Sequence, residues 1–316
     1  MLTATRSKPL LPRKTKQLDL ALLFTVVNLR GCLNSTPFFY AIKNGKGVHL
    51  TTVIATGVSV TLFTMGLSGF MKRIGDILYQ VYAWLILIPV GILLTVLTGW
   101  MIVLVAVIWN PKVASRYFAA NWGKLIIWLT PVWVTIEGAE NADPKRTYVV
   151  VCNHQSQYDI FLVYGWLKLD LKWVIKAELR KVPGVGIGCE KAGHIFVDRG
   201  NPEQTRKAVN EALERVGDGV GILFFAEGTR SKDGRLKTFK KGAFRLATSQ
   251  KLPILPVTII GTNGVLRPGS AMIRPGKVRM VIHPPIEVDG EDAQDVRQLM
   301  DETRRVIASA LPQNLR

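Results

Sequence analysis

Between Asp76 and Lys112 the chain runs through 35 residues, Ile77–Pro111, without one charged side chain. A straight helix of that length reaches about 50 Å, well beyond the roughly 30 Å hydrocarbon core of a bilayer. The run must therefore bend or lie partly along a surface. Pro89-Val90-Gly91 and Thr98-Gly99 are the expected breaks, giving either one tilted span with an interfacial extension or a re-entrant helical hairpin. Upstream, Leu50–Met71 is another uncharged stretch, 22 residues long, enough for an additional membrane helix. Downstream, Ala114–Trp133 mixes Arg116 and Lys124 with Tyr117, Phe118, Trp122 and Trp128, a composition suited to lying along a membrane surface.

From about Pro131 the pattern changes to short apolar runs alternating with helical periodicity. Strands are expected at Val132–Ile136, Tyr148–Cys152, Lys172–Lys176, Ile195–Val197, Gly221–Phe225, Ile254–Ile260 and Lys277–Ile282. Helices are expected at Asp159–Lys168, Glu203–Val216, Lys241–Thr248 and Asp292–Ala310. This is the signature of an α/β domain, residues 131–316, preceded by a membrane-anchoring helical segment, 71–130, and an N-terminal region, 1–70. The three cysteines, Cys32, Cys152 and Cys189, show neither metal spacing nor a disulfide framework, which fits a reducing compartment.

A formal net charge of +18 attracts polyanions, and nucleic acid is the general inference from such a charge. With 48% hydrophobic residues and no helix-turn-helix, zinc-knuckle or ribonucleoprotein motif, the chain is not expected to bind nucleic acid. An anionic phospholipid membrane accounts for the basic excess better, since each surface Lys or Arg near such a leaflet contributes about 1 kcal/mol.

Chemistry is concentrated where apolar runs end. Asn153-His154-Gln155-Ser156-Gln157-Tyr158-Asp159 follows Tyr148–Cys152 and sets an imidazole and a carboxylate five positions apart. With Asp159 one helical turn beyond His154, the carboxylate accepts from one ring nitrogen and leaves the other basic. Glu227-Gly228-Thr229-Arg230-Ser231 follows Val220–Phe225 in the same way. Between them, Phe196-Val197-Asp198-Arg199 delivers a guanidinium; Arg199 and Arg230 suit an anionic substrate group, with Lys176 as a third cation. Ligands in open α/β sheets collect outside the carboxyl ends of strands, so these clusters are expected to face one crevice.

These blocks resemble the glycerolipid acyltransferases, and most closely the lysophosphatidate (1-acylglycerol-3-phosphate) acyltransferases. Asn153 to Asp159 matches the Asn-His-x-x-x-x-Asp block, Phe196 to Arg199 the Phe-x-Asp-Arg block, and Glu227 to Ser231 the Glu-Gly-Thr-Arg-Ser block. Ile254–Ile259 looks like the Pro-containing apolar strand. Four blocks in this order make a specific signature. One position departs: Ala226 stands where the family pattern has proline. The resemblance implies a mixed sheet flanked by helices and transfer of an acyl group to the free hydroxyl of lysophosphatidic acid. The donor would be an acyl thioester, acyl-CoA or acyl carrier protein, with no cofactor or metal. It implies catalysis by His154, with Asp159 holding its tautomer, and a phosphate clamp of Arg199, Arg230, Lys176, Gly228 and Thr229. Glu227 would then position one of the arginines or accept a glycerol hydroxyl.

The resemblance also implies work at the cytoplasmic side of a cell inner membrane. Met71-Lys72-Arg73-Ile74 looks like a family amino terminus, so residues 1–70 are expected to be an extension. Two other readings are a related acyltransferase with another lysolipid or aminoacyl lipid as acceptor, and a basic membrane-binding protein without catalysis.

Overall fold

The computed structural model describes residues 70–182, 184–197, 207–208, 211, 219–288 and 293–316. Most of the expected helix at Leu50–Met71, most of the one at Glu203–Val216, and the Asp198-Arg199 pair lie outside the described residues. The chain divides after Ile74, and the unit considered below is Gly75–Arg316.

Seven strands form one sheet: β1 (Val132–Glu137), β2 (Tyr148–Cys152), β3 (Asp170–Lys176), β4 (Ile195–Val197), β5 (Val220–Phe225), β6 (Ile254–Ile260) and β7 (Gly276–Ile282). Their order is β1-β7-β6-β2-β5-β3-β4. All neighbours are parallel except β6 and β7, so the sheet is mixed, as expected. β2 is buried at every position, which explains its unbroken apolar sequence: it is covered on both faces. Alternate residues serve opposite layers. Val150 and Cys152 join one core, with Leu162 and Val163 of α3 (Tyr158–Trp166). Val149 and Val151 join the other, with Phe244 of α5 (Gly242–Gln250) and Leu299 and Ile307 of α7 (Ala293–Ala310). Two short helices, α4 (Val185–Lys191) and α6 (Thr262–Val265), fall where the periodicity gave no helix signal.

The uncharged run does not break at either expected place. It forms one helix, α1 (Phe70–Ile108), long and apolar enough to cross a membrane by length and composition. The irregularity is a π-turn at Ala83–Leu87, just before Pro89, whose missing N–H cannot donate back to Leu85. Gly99 is a packing site instead of a break. A Cβ there would lie 2.2 Å from the Gly184 carbonyl oxygen, so α1 and α4 meet backbone to backbone. The chain turns at Asn110, whose side chain accepts from Lys112 N at 2.8 Å, into a second helix, α2, covering 111–129. The two helices are antiparallel: Trp122 Nε1 donates to Thr95 Oγ1 at 3.0 Å and the Tyr82 hydroxyl to Leu129 O at 2.8 Å.

Ala83, Leu87 and Ile102 of α1 are buried, while Trp84, Leu85, Leu93, Leu97, Trp100 and Leu104 face outward. A second π-turn in α2, Ala114–Phe118, brings Ser115 to the sheet, where its hydroxyl donates to Asp170 Oδ1 at 2.5 Å. Lys172 Nζ completes this buried knot, donating to Asp170 at 2.9 Å and to the Ala192 carbonyl at 2.6 Å.

Candidate active site

Three adjacent strands, β6, β2 and β5, end on the same side and carry the polar residues. Asn153 extends the β2–β6 ladder with its side chain, donating to Ile259 O at 2.9 Å and accepting from Ile259 N at 2.7 Å. The next residue, His154, thereby leaves the sheet at a fixed place. Its ring stacks on Phe225, centroids 3.8 Å apart and planes 9° from parallel. Nδ1 lies 2.7 Å from Asp159 Oδ2. That oxygen also accepts from Gln155 N at 2.6 Å and Ser156 N at 2.9 Å, while the Thr262 hydroxyl donates to Oδ1. Asp159 is fully buried in the first turn of α3, where the helix dipole favours an acidic group. The imidazole is thus held by a carboxylate that is itself held by three other donors.

The second cluster wraps the backbone of His154. Glu227 Oε1 accepts from His154 N at 2.9 Å, and Ser231 N donates to His154 O at 2.8 Å. Glu227 Oε2 accepts from Lys237 N at 3.3 Å. Both oxygens of Glu227 thus accept from main-chain donors, and through Oε1 the carboxylate positions His154. Burial pushes the Glu227 carboxyl from the ordinary 4.5 up to about 7, against the opposing pull of the two N–H groups. Between those values the folded state holds a proton that the unfolded chain has lost. Stability should therefore fall as pH rises from about 4.5 to about 7. Thermal unfolding across that range should show the slope in wild type, and Glu227→Gln should flatten it.

Gly228 has φ +72°, a left-handed conformation that favours glycine at this turn. Thr229 and Arg230 are exposed at its tip, and Thr229 Oγ1 accepts from Lys237 Nζ at 2.7 Å. Lys176 ends β3 on the same side of the sheet, exposed, one strand beyond β5. The structure thus brings His154, Asp159, Glu227, Gly228, Thr229 and Arg230 to one edge. It places Lys176 further along that edge, and Arg199 lies outside the described residues. Ala226 uses the N–H that a proline would lack, donating to Cys152 O at 3.2 Å, and its carbonyl accepts from Lys240 N at 2.7 Å.

Sequence reasoning missed Thr262, Phe225 and the Asn153 clamp. The signal for Thr262 was available: Gly261-Thr262-Asn263 also follows an apolar strand, the third polar strand end beside the other two. Cys152 is fully buried, and burial raises its thiol well above the ordinary value, as befits an inert core residue. His194 is held between the Tyr164 hydroxyl at 2.9 Å and Trp173 N at 3.4 Å. Burial, with help from Lys172, lowers it to about 3.

A family model described as Acyltransferase matches residues 133–260. A 1-acyl-sn-glycerol-3-phosphate acyltransferase of Chlamydomonas reinhardtii is 33% identical over 184 residues, 58% of this chain and 54% of that one. The chloroplastic 1-acyl-sn-glycerol-3-phosphate acyltransferase BAT2 of Brassica napus is 35% identical over 199 residues, 62% and 56% of the two chains. The chain thus spans little more than half the length of these curated relatives. In the solved structure of the 1-acyl-sn-glycerophosphate (LPA) acyltransferase PlsC from Thermotoga maritima the same fold recurs. The TM-score is 0.63 and the identity 28%, covering 75% of this chain and 97% of that one.

Proposed function

We propose that this chain, which belongs to the acyltransferase family through residues 133–260, is a 1-acylglycerol-3-phosphate acyltransferase that converts lysophosphatidic acid and an acyl thioester into phosphatidic acid. The observation that carries the reading is the His154–Asp159 pair at 2.7 Å, set beside the glycine turn that presents Thr229 and Arg230. His154 Nε2 takes the proton of the free glycerol hydroxyl as that oxygen attacks the thioester carbonyl. The new ester C–O bond forms, the C–S bond breaks, and the imidazolium returns its proton to the departing thiolate. No acyl-enzyme is needed, because a thioester is already activated and what remains is positioning and charge stabilisation. The donor is acyl-CoA or an acyl carrier protein, and no cofactor takes part.

Arg230, Thr229 and the backbone at Gly228 bind the acceptor's phosphate, with Arg199 and Lys176 as further cations. The hairpin of α1 and α2 seats the protein on an anionic membrane. Its outward apolar face is supported by Trp84, Trp100 and Trp128, each more than half exposed. We place this membrane as the cell inner membrane, with the catalytic domain on the cytoplasmic side.

The test is to offer the purified protein an acyl thioester with a panel of lysolipids and to identify the product by mass. Phosphatidic acid is expected; a different acylated lipid would reassign the acceptor, and no product with any acceptor would end the enzyme reading. Arg230→Ala should raise the Michaelis constant for lysophosphatidic acid by roughly 10- to 100-fold, since a charged hydrogen bond is worth about 1.5–3 kcal/mol. The donor's constant should hold. Lost donor affinity with the acceptor unaffected would move Arg230 to the thioester's phosphates.

A further inference from the structure

A cleft of about 330 Å³ lies between α2 and the far end of α3, and its walls are mostly apolar. That volume is within the range of small-molecule sites. The catalytic Asp159 opens α3, whereas the cleft lies at the other end, by Gly165, about 9 Å along the helix, and by Lys168 just beyond it. It also borders the beginning of β3, at Leu169 and Leu171, the opposite end of that strand from the one facing the crevice. The cleft is therefore separate from the candidate active site.

Three cations, Arg116, Lys124 and Lys168, line it, all exposed; the carboxylate beside it, Asp170, is buried and already bound by Ser115 and Lys172. The π-turn at Ala114–Phe118 is what brings Arg116 to the wall, and such turns recur at functional sites. Lys168 is held at φ +58°, a left-handed conformation that a residue with a side chain adopts only under constraint. The same helix exposes Tyr117, Leu125 and Trp128.

We propose that this cleft binds one anionic phospholipid of the bilayer, its phosphate among Arg116, Lys124 and Lys168 and part of an acyl chain against Val113, Leu169 and Leu171. The proposal rests on the membrane-surface reading above and adds to it a discrete lipid site at the seam between the hairpin and the catalytic domain. Charge complementarity selects the ligand: an apolar slot ringed by cations fits an amphiphile with an anionic head, and a zwitterionic lipid would leave the excess positive charge uncompensated.

The full-length protein is sedimented with vesicles of phosphatidylcholine, with and without phosphatidylglycerol, an assay that needs no turnover and so fails or succeeds independently of the acyl-transfer reading. Replacing Arg116, Lys124 and Lys168 together by Gln should weaken binding to phosphatidylglycerol vesicles by up to about 100-fold, roughly fivefold per cation. A control with the same charge loss at Lys145, Lys277 and Arg297, all exposed outside the cleft, should bind almost as wild type. Ala120→Leu fills the cleft without changing charge and should remove much of the preference for phosphatidylglycerol. Equal losses in the control and the cleft variant, or an unchanged preference in Ala120→Leu, would overturn the site in favour of diffuse attraction. A raised Michaelis constant for lysophosphatidic acid in Ala120→Leu, with vesicle binding intact, would also overturn it by giving the cleft to the substrate.

Discussion

His154→Ala should lower acyl transfer by roughly 10²–10⁴-fold, the usual cost of removing a general base, while leaving the protein folded and on the membrane. The structure explains why the fold should survive. The main-chain bonds of His154 to Glu227 and Ser231 do not involve its ring, and Asp159 keeps Gln155 N, Ser156 N and the Thr262 hydroxyl as donors. No buried carboxylate is orphaned. The ring stacks on Phe225 at the mouth of the site, outside the buried clusters that hold the sheet's two faces, so the core itself is not emptied. Turnover measured beside a thermal unfolding curve checks both halves. More than about a tenth of wild-type activity would remove His154 from the base role.

The strands and the strand-end clusters were legible because each is a local pattern: an apolar run with an abrupt polar end names both the strand and the direction of its cargo. His154, Asp159 and Glu227 stood out for that reason. Their partners did not, because pairing across a sheet is set by strand order, and β6 lies beside β2 only after more than a hundred intervening residues. Thr262 reaching Asp159 and Asn153 clasping Ile259 are consequences of that adjacency. The hold of Glu227 on the backbone of His154 was hidden on similar grounds. The carboxylate's charge suggested a partner among the arginines, and the backbone N–H groups from which both of its oxygens accept are not displayed by sequence. In the long apolar run, Gly99 was read as a break because a glycine weakens a helix. The structure uses it to let α4 approach, a purpose visible only once Gly184 and Gly188 are seen against it.

Asp159→Asn should reduce turnover less than loss of His154, by roughly 10- to 100-fold, the worth of one charged hydrogen bond. An amide has one acceptor and one donor end, and the surroundings choose between them. The Oδ2 position faces three groups, Gln155 N, Ser156 N and His154 Nδ1, and the two backbone groups can only donate. The Oδ1 position faces the Thr262 hydroxyl, which can rotate and accept. The asparagine oxygen should therefore take the Oδ2 place, so that Nδ1 keeps its proton and Nε2 stays basic. What is lost is the negative charge that stabilises the imidazolium as it forms. Asp159→Ala is the contrasting case: it leaves two buried N–H groups unpaired, at about 1–3 kcal/mol each, and should lower the unfolding temperature as well as the rate. A pH profile of turnover together with unfolding curves for the two variants separates these effects. If Asp159→Asn fell as far as His154→Ala with its fold intact, the amide would have entered the other way round, with the tautomer reversed, and hydrogen-bond demand at Oδ2 would not be what orients His154.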